Sequence, residues 1–223
     1  STTSAPLTTY RIMIIGGYNG QTSRLSDVEL IDPTNSDSNC EKPMSFPYGV
    51  SEMVSGTFDN RAFVCGGQGA IYPDCYEYLD GTWRSGPDEL TYLRVCASSV
   101  GLGHGRTWVL GGNGEVESTT SEILNKNGEF HAGCILPDPM QSHCAARINE
   151  THVFIAGNGY GPQTQAYIAD VSKYNCEYLK LPTMARVRFG AACSVVVDHN
   201  QPNNYHTTRL LVAGGDPPTF SST

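Results

Sequence analysis

Eight cysteines and six histidines carry most of the chemical potential of this chain. The cysteines are Cys40, Cys65, Cys75, Cys96, Cys134, Cys144, Cys176 and Cys193. No two are separated by the two-residue gap of a zinc knuckle or a redox motif. The histidines, His104, His131, His143, His152, His199 and His206, share no metal-ligand spacing. His104 and His152 fall in or beside turns. His199 and His206 could meet only across a polar insertion, so satisfied surface histidines are the simpler reading. No Ser/His/Asp order stands out. Gly101-Leu102-Gly103-His104-Gly105 reads as a strand end and turn rather than a phosphate cradle. Asp88-Glu89 reads as a solvated loop. These residues argue against catalysis, and no catalytic, cofactor-binding or metal-ligating residue is assigned.

The elements that position these groups come from a repeat. Short apolar runs ending in glycine recur at Ile12–Gly17, Ala62–Gly67, Trp108–Gly112, Val153–Gly157 and Leu210–Gly215. Their last glycines, at 17, 67, 112, 157 and 215, are separated by 50, 45, 45 and 58 positions. One supersecondary unit is repeated, and a period near ~50 residues points to a β-propeller of four-stranded sheets. Glycine lets neighbouring backbones approach and accepts positive φ at the bend. In the third repeat the strands are expected at 96–102, 107–111, 121–124 and 129–136, with Asn127-Gly128 as a hairpin signal. The fourth repeat is parallel to it, at 144–148, 151–156, 166–172 and 177–181.

The expected architecture is all-β, a single domain over 1–223. It has three complete blades, about 48–94, 95–141 and 142–189, and two partial blades, 7–47 and 190–216. Residues 7–17 resemble a second strand without its first. Residues 191–215 resemble a first and second strand without the other two. The chain is therefore expected to be a window on a longer propeller.

Net charge is −8, charged residues are 16% of the chain, and lysine is limited to Lys42, Lys126, Lys173 and Lys180. Nucleic-acid binding needs a positive footprint, so it is not expected. No stretch approaches the ~20 apolar residues of a membrane span, so this segment is not expected to insert in a membrane. A scattered, even set of cysteines suits structural disulfides in an oxidising space; buried free thiols are the alternative. Cys65 and Cys75 flank the loop between a second and a third strand. Cys134 with Cys144, and Cys176 with Cys193, would each tie a fourth strand to the next blade. That scheme leaves Cys40 and Cys96 without partners. The sequon Asn149-Glu150-Thr151 lies in a polar turn and is a candidate glycosylation site.

Gly16-Gly17 with Val28-Glu29-Leu30-Ile31-Asp32-Pro33, and Gly66-Gly67 with Tyr76-Glu77-Tyr78-Leu79 and Trp83, resemble the kelch repeat. Phe130 and Tyr178 stand near the tryptophan position in later, degenerate repeats. Leu181-Pro182-Thr183-Met184-Ala185-Arg186 is similar to the segment between blades. The resemblance implies a propeller that binds a protein or glycan partner, with no cofactor. Kelch propellers include secreted and ectodomain binders, cytosolic adaptors with free thiols and, rarely, galactose-oxidase-like copper radical enzymes. The last would need two histidines and two tyrosines converging on copper.

Strand alternation places the loops after second strands and the linkers after fourth strands on one face. That face is expected to recognise the partner, through Tyr18, Arg24, Gln68, Tyr72, Tyr160 and Gln163; plain loop solubility is the alternative. Asn149 and the insertion 198–208 fall on the opposite face. Secretion is the expected localisation and the cytoplasm the alternative.

Overall fold

A computed structural model describes residues 11–20, 23–34, 40–160, 163–173, 175–198 and 207–215. They form five antiparallel sheets. Sheet A pairs β1 (Ile12–Ile15) with β2 (Val28–Ile31). A single bridge from Leu30 to Glu41 extends it. Sheet B runs in order β3 (Val54–Phe58), β4 (Arg61–Cys65), β5 (Cys75–Leu79), β6 (Thr82–Ser85). Sheet C is β7 (Ser98–Gly103), β8 (Arg106–Leu110), β9 (Ser121–Leu124), β10 (Phe130–Ala132). Sheet D is β11 (Cys144–Arg147), β12 (His152–Ala156), β13 (Ala166–Asp170), β14 (Glu177–Lys180). Sheet E is the hairpin β15 (Ala192–Asp198) and β16 (Thr207–Ala213). Every sheet is a meander of neighbouring strands, as local hairpin signals dictate.

The first strands, β3, β7, β11 and β15, lie next to one another in succession. The cores therefore lie between sheets. Val28, Phe46, Val50 and Val64 fill the space between A and B; Phe58, Phe63, Leu90 and Val109 fill that between B and C. Leu102, Trp108, Ile155 and Tyr167 fill the space between C and D. Cys144, Phe154 and Ala166 pack against Leu210 and Val212 between D and E. A sheet with apolar residues on both faces needs a neighbour on each side, which is why the repeat stacks.

The glycines are explained by this stacking. Gly66 and Gly111 have φ of +59° and +68°. A Cβ on either would stand 2.7 Å from the Arg94 carbonyl or 2.4 Å from that of Met140, in the linker to the next sheet. Only glycine tolerates both that backbone conformation and that proximity.

Several strand limits differ from expectation, most of all in sheet C. The first strand of sheet C begins at Ser98, because Cys96 has a left-handed φ of +57°. Its fourth strand is Phe130–Ala132 rather than 129–136. There the Ser121 hydroxyl donates to the Cys134 carbonyl at 2.6 Å, while the Gly133 and Leu136 N–H groups still reach the Ser121 and Thr119 carbonyls at 2.8 and 2.9 Å, so the pairing goes on in an irregular form.

Three disulfides form, Cys65–Cys75, Cys134–Cys176 and Cys144–Cys193. The expected pairs Cys134–Cys144 and Cys176–Cys193 are replaced. Cys144 joins Cys193 between two first strands, and Cys134, after the fourth strand of sheet C, joins Cys176, before the fourth strand of sheet D, so each bridge links inner to inner or outer to outer strands of adjacent sheets. Their Cα separations of 5.4 and 5.7 Å are ordinary for disulfides, whereas an inner-to-outer pair would have to cross the width of a sheet. Closing loops of 42 and 49 residues is worth about 4 kcal/mol each in the chain-entropy model. Cys40 and Cys96 are free thiols.

Candidate functional site

Antiparallel pairing puts the loops β1–β2, β4–β5, β8–β9 and β12–β13 on one face, together with the linkers between sheets. The linkers end in a repeated device. Glu52, Cys96, Ser142 and Gly190 each stand two residues before a first strand, with φ of +55°, +57°, +49° and +64°. The Cys96 N–H donates to the Glu52 carbonyl at 3.1 Å, Ser142 to Cys96 at 2.7 Å, and Gly190 to Ser142 at 2.6 Å. This chain of bonds ties four sheets together at the inner edge of the loop face.

Sequence reasoning missed these four residues. Their spacing carried the only signal, since each lies two positions after an equivalent linker residue, Val50, Arg94, Met140 or Arg188. Their types (acid, thiol, hydroxyl, glycine) carried none.

The chain borders a cleft of about 310 Å³ lined by Glu52, Met53, Cys96, Ser142, His143 and Phe189, among others. The Cys96 thiol donates to Glu52 Oε2 at 3.1 Å. Burial, with this bond, pushes its pKa up to about 11, so the group is a protonated thiol at neutral pH rather than a nucleophile. Burial alone lowers His143 to about 4. Its two ring nitrogens are buried and have no hydrogen-bond partner among the described residues.

Of the six loop candidates, two meet through their side chains. The Arg24 guanidinium donates to Gln68 Oε1 at 2.8 Å, joining the loops of sheets A and B. Tyr18 pairs with Arg24 through a backbone bridge, and its side chain is 62% exposed. Tyr72, beside the exposed Ile71, is 64% exposed, and Tyr160 is 52% exposed. Tyr160 is set by Asn158, whose Oδ1 accepts from the Tyr160 and Gln141 N–H groups and whose Nδ2 donates to the Pro139 carbonyl. Gln163 is half-buried. Tyr18, Tyr72 and Tyr160 stand on three different loops, and no ring contact joins them among the described residues. The Cys65–Cys75 disulfide closes the loop that carries Gln68 and Tyr72.

Asn149 is exposed in the β11–β12 turn, on the other face. Its Oδ1 accepts from the Thr151 and His152 N–H groups at 2.9 Å each. The sequon threonine is thereby held against its asparagine. Most of the insertion, residues 199–206 with both of its histidines, lies outside the described residues.

A larger cleft of about 710 Å³ runs between sheets B and C, lined in part by Phe58, Arg61, Asp74, Glu77, Asp88 and Glu89. On its sheet B wall Arg61 stands 2.7 Å from Glu77 Oε2 and 4.5 Å over the Phe58 ring. Among the described residues, no group of three or more His, Cys, Asp or Glu side chains is arranged to hold a metal ion. Nor is any helix among them long and apolar enough to cross a membrane.

The family described as the Kelch motif matches residues 3–45. Among solved structures, 157 chains match this one. The β-propeller protein YjhT superposes with a TM-score of 0.69 at 12% identity, over 94% of this chain and 73% of that chain. No curated protein matches by sequence. At that identity the likeness is one of fold. With the kelch motif and the five sheets, it makes this an all-β, kelch-like propeller.

Proposed function

We propose that this chain is a non-catalytic, secreted binding scaffold, one propeller domain over residues 1–223 that recognises a protein or glycan partner through its loop face. Its blades are taken as 48–94, 95–141 and 142–189, with partial blades at 7–47 and 190–216. The observation that carries the reading is the set of exposed aromatic side chains, Tyr18, Tyr72 and Tyr160, standing on separate loops of one face. Tyrosine supplies a large amphipathic contact at low conformational cost, and several such tips on a rigid scaffold suit recognition better than turnover. Three disulfides fit an oxidising compartment, and a glycan on Asn149 would leave the loop face clear. Kelch-type repeats favour binding over chemistry, and fold likeness by itself assigns no partner.

The test is a glycan array and a panel of extracellular domains probed with the full chain, as wild type and as Tyr18→Ala/Tyr72→Ala/Tyr160→Ala. Hits lost in the triple variant, with unchanged circular dichroism, support the reading. Hits that survive it undamaged move recognition to another surface.

A further inference from the structure

The repeat supplies its own control for what packing alone requires. On the third strand of sheet B, Glu77 lies opposite Phe63; at the same place in sheets C and D, Ile123 lies opposite Trp108 and Ile168 opposite Phe154. Ile123 packs into the core between C and D. Glu77 takes that position between B and C, only 9% exposed, on the wall of the 710 Å³ cleft. Stacking asks only for isoleucine there, and a carboxylate taken out of water is costly unless it is paired. The lining is also unbalanced in charge. Asp74, Glu77, Asp88 and Glu89 line the cleft, and Arg61 is the one cation among the described residues that do. Arg61 is shared between Glu77 and Asp59, at 2.7 and 3.4 Å. Arg84, opposite Glu77 on β6, is exposed and lies outside the lining.

Asp74 joins this cleft to the β4–β5 loop, whose tip is apolar. The Cys65–Cys75 disulfide closes the loop, Gln68 and Ser51 exchange backbone bonds at 2.7 and 3.1 Å, and the Pro73 carbonyl accepts from the Leu90 N–H at 3.2 Å. Between these pins stand Ile71 and Tyr72, 80% and 64% exposed. The cation on the other flank, Arg24, is bonded to Gln68. The cleft walls are fixed as well, since the Gly86 N–H donates to the Cys75 carbonyl at 3.1 Å and the Asp88 N–H to that of Gly128 at 2.8 Å. An aliphatic tip offers a sugar no hydrogen bond, whereas an apolar anchor beside a charged cleft is what a protein partner reads.

We propose that the Ile71–Tyr72 tip and the cleft between sheets B and C form one docking surface for a basic segment of a partner protein. This rests on the binding role proposed above and narrows it to a protein ligand and to the sheet B side of the loop face. A lysine or arginine of the partner enters the cleft, with its stem along Phe58 and Pro87 and its charge toward the four carboxylates. An adjoining apolar residue of the partner covers Ile71 and Tyr72. Long cationic side chains suit such a site because the stem is buried while the head is met by charge-assisted hydrogen bonds. Loop and walls are held in place before binding, so little ordering cost is left.

A phage-displayed library of random short peptides is panned on the full chain, and the enriched peptides are synthesised with a fluorophore and titrated. Each is expected to carry lysine or arginine next to an aliphatic or aromatic residue and to bind more weakly as salt is added. Affinity is expected to fall about tenfold in Asp74→Asn/Asp88→Asn and in Ile71→Ser. Glu77→Ile, which installs the residue of sheets C and D, should lower it in the same way, with urea denaturation reporting that each variant is folded. Enrichment of no peptide, enrichment of peptides without a basic residue, or equal affinity for wild type and these variants overturns the proposal. Tyr18→Ala/Tyr160→Ala separates it from the wider loop-face reading. Unchanged peptide affinity in that variant supports the docking surface, and loss of affinity there alone overturns it while the loop-face reading stands.

Discussion

The linkers before sheets C and D occupy the same place and solve the same problem with opposite chemistry. Before sheet C, Arg94 is fully buried and every part of its guanidinium is satisfied. Nε faces Glu122, Nη1 donates to the carbonyls of Gly111, Glu117 and Thr120, and Nη2 donates to the Thr120 hydroxyl. Glu122 accepts a second bond from the Thr91 N–H at 2.8 Å. Before sheet D, Met140 fills the position with a flexible apolar chain beside Tyr167. Burying a charge is tolerable only when its partners are complete, and an apolar pair of similar bulk serves as well. The lesson is that the repeat preserves a matched pair and leaves its chemistry free.

Arg94→Ala is expected to break the comparison most strongly. It strands Glu122 as a buried, unpaired charge, and breaking such a pair costs about 3–5 kcal/mol. Urea denaturation would read this as a lower midpoint at unchanged slope.

A smaller effect is expected on the other side of the comparison, from pH. His143 follows the Met140 linker and is buried as a neutral ring. Its folded pKa of about 4 lies below the ordinary histidine value of 6.5, so the unfolded chain binds the extra proton first as pH falls. Its contribution is complete above pH ~6.5 and is lost progressively down to about 4, amounting to about 3 kcal/mol. Stability measured across that window should fall with acid, and His143→Leu should flatten this part of the profile. An unchanged slope in the variant would remove His143 as its cause.

The smallest effect sharpens the matching idea. Arg94→Met with Glu122→Tyr copies the sheet D pair into sheet C and should recover stability to within about 1.5 kcal/mol of wild type. A double variant as unstable as Arg94→Ala would show that the rest of the Arg94 network, rather than the pair, sets the requirement.

Much of this was legible in the chain itself. The strand Ser121–Leu124 stood out because its apolar residues are bracketed by a polar loop and Asn127-Gly128. The glycines that end the apolar runs gave the phase of every sheet. Trp83 was legible as part of the kelch pattern, and it lies 5.0 Å from the Phe46 ring and donates to the Met44 carbonyl. Cys65 and Cys75 pair as expected, but the other two pairs were misread because sequence proximity favoured Cys134 with Cys144, whereas the separation that matters is radial. Arg94 and Glu122 are 28 residues apart and drew no notice as a pair. The six loop candidates came from composition, which cannot tell that Arg24 would spend its charge on Gln68.

By itself the sequence determined what depends on neighbours along the chain: strand periodicity, turn chemistry, the repeat and the order of strands within a sheet. Hairpins are closed by local backbone preferences, and these are written in consecutive residues. Tertiary structure decided what depends on neighbours across the stack, namely which cysteines meet, which linker residue faces which third strand, and which residues link the sheets at their inner edge. Those contacts join positions from 26 residues apart (Val50 and Tyr76) to 49 apart (Cys144 and Cys193), and their distances are fixed only when the sheets pack face to face.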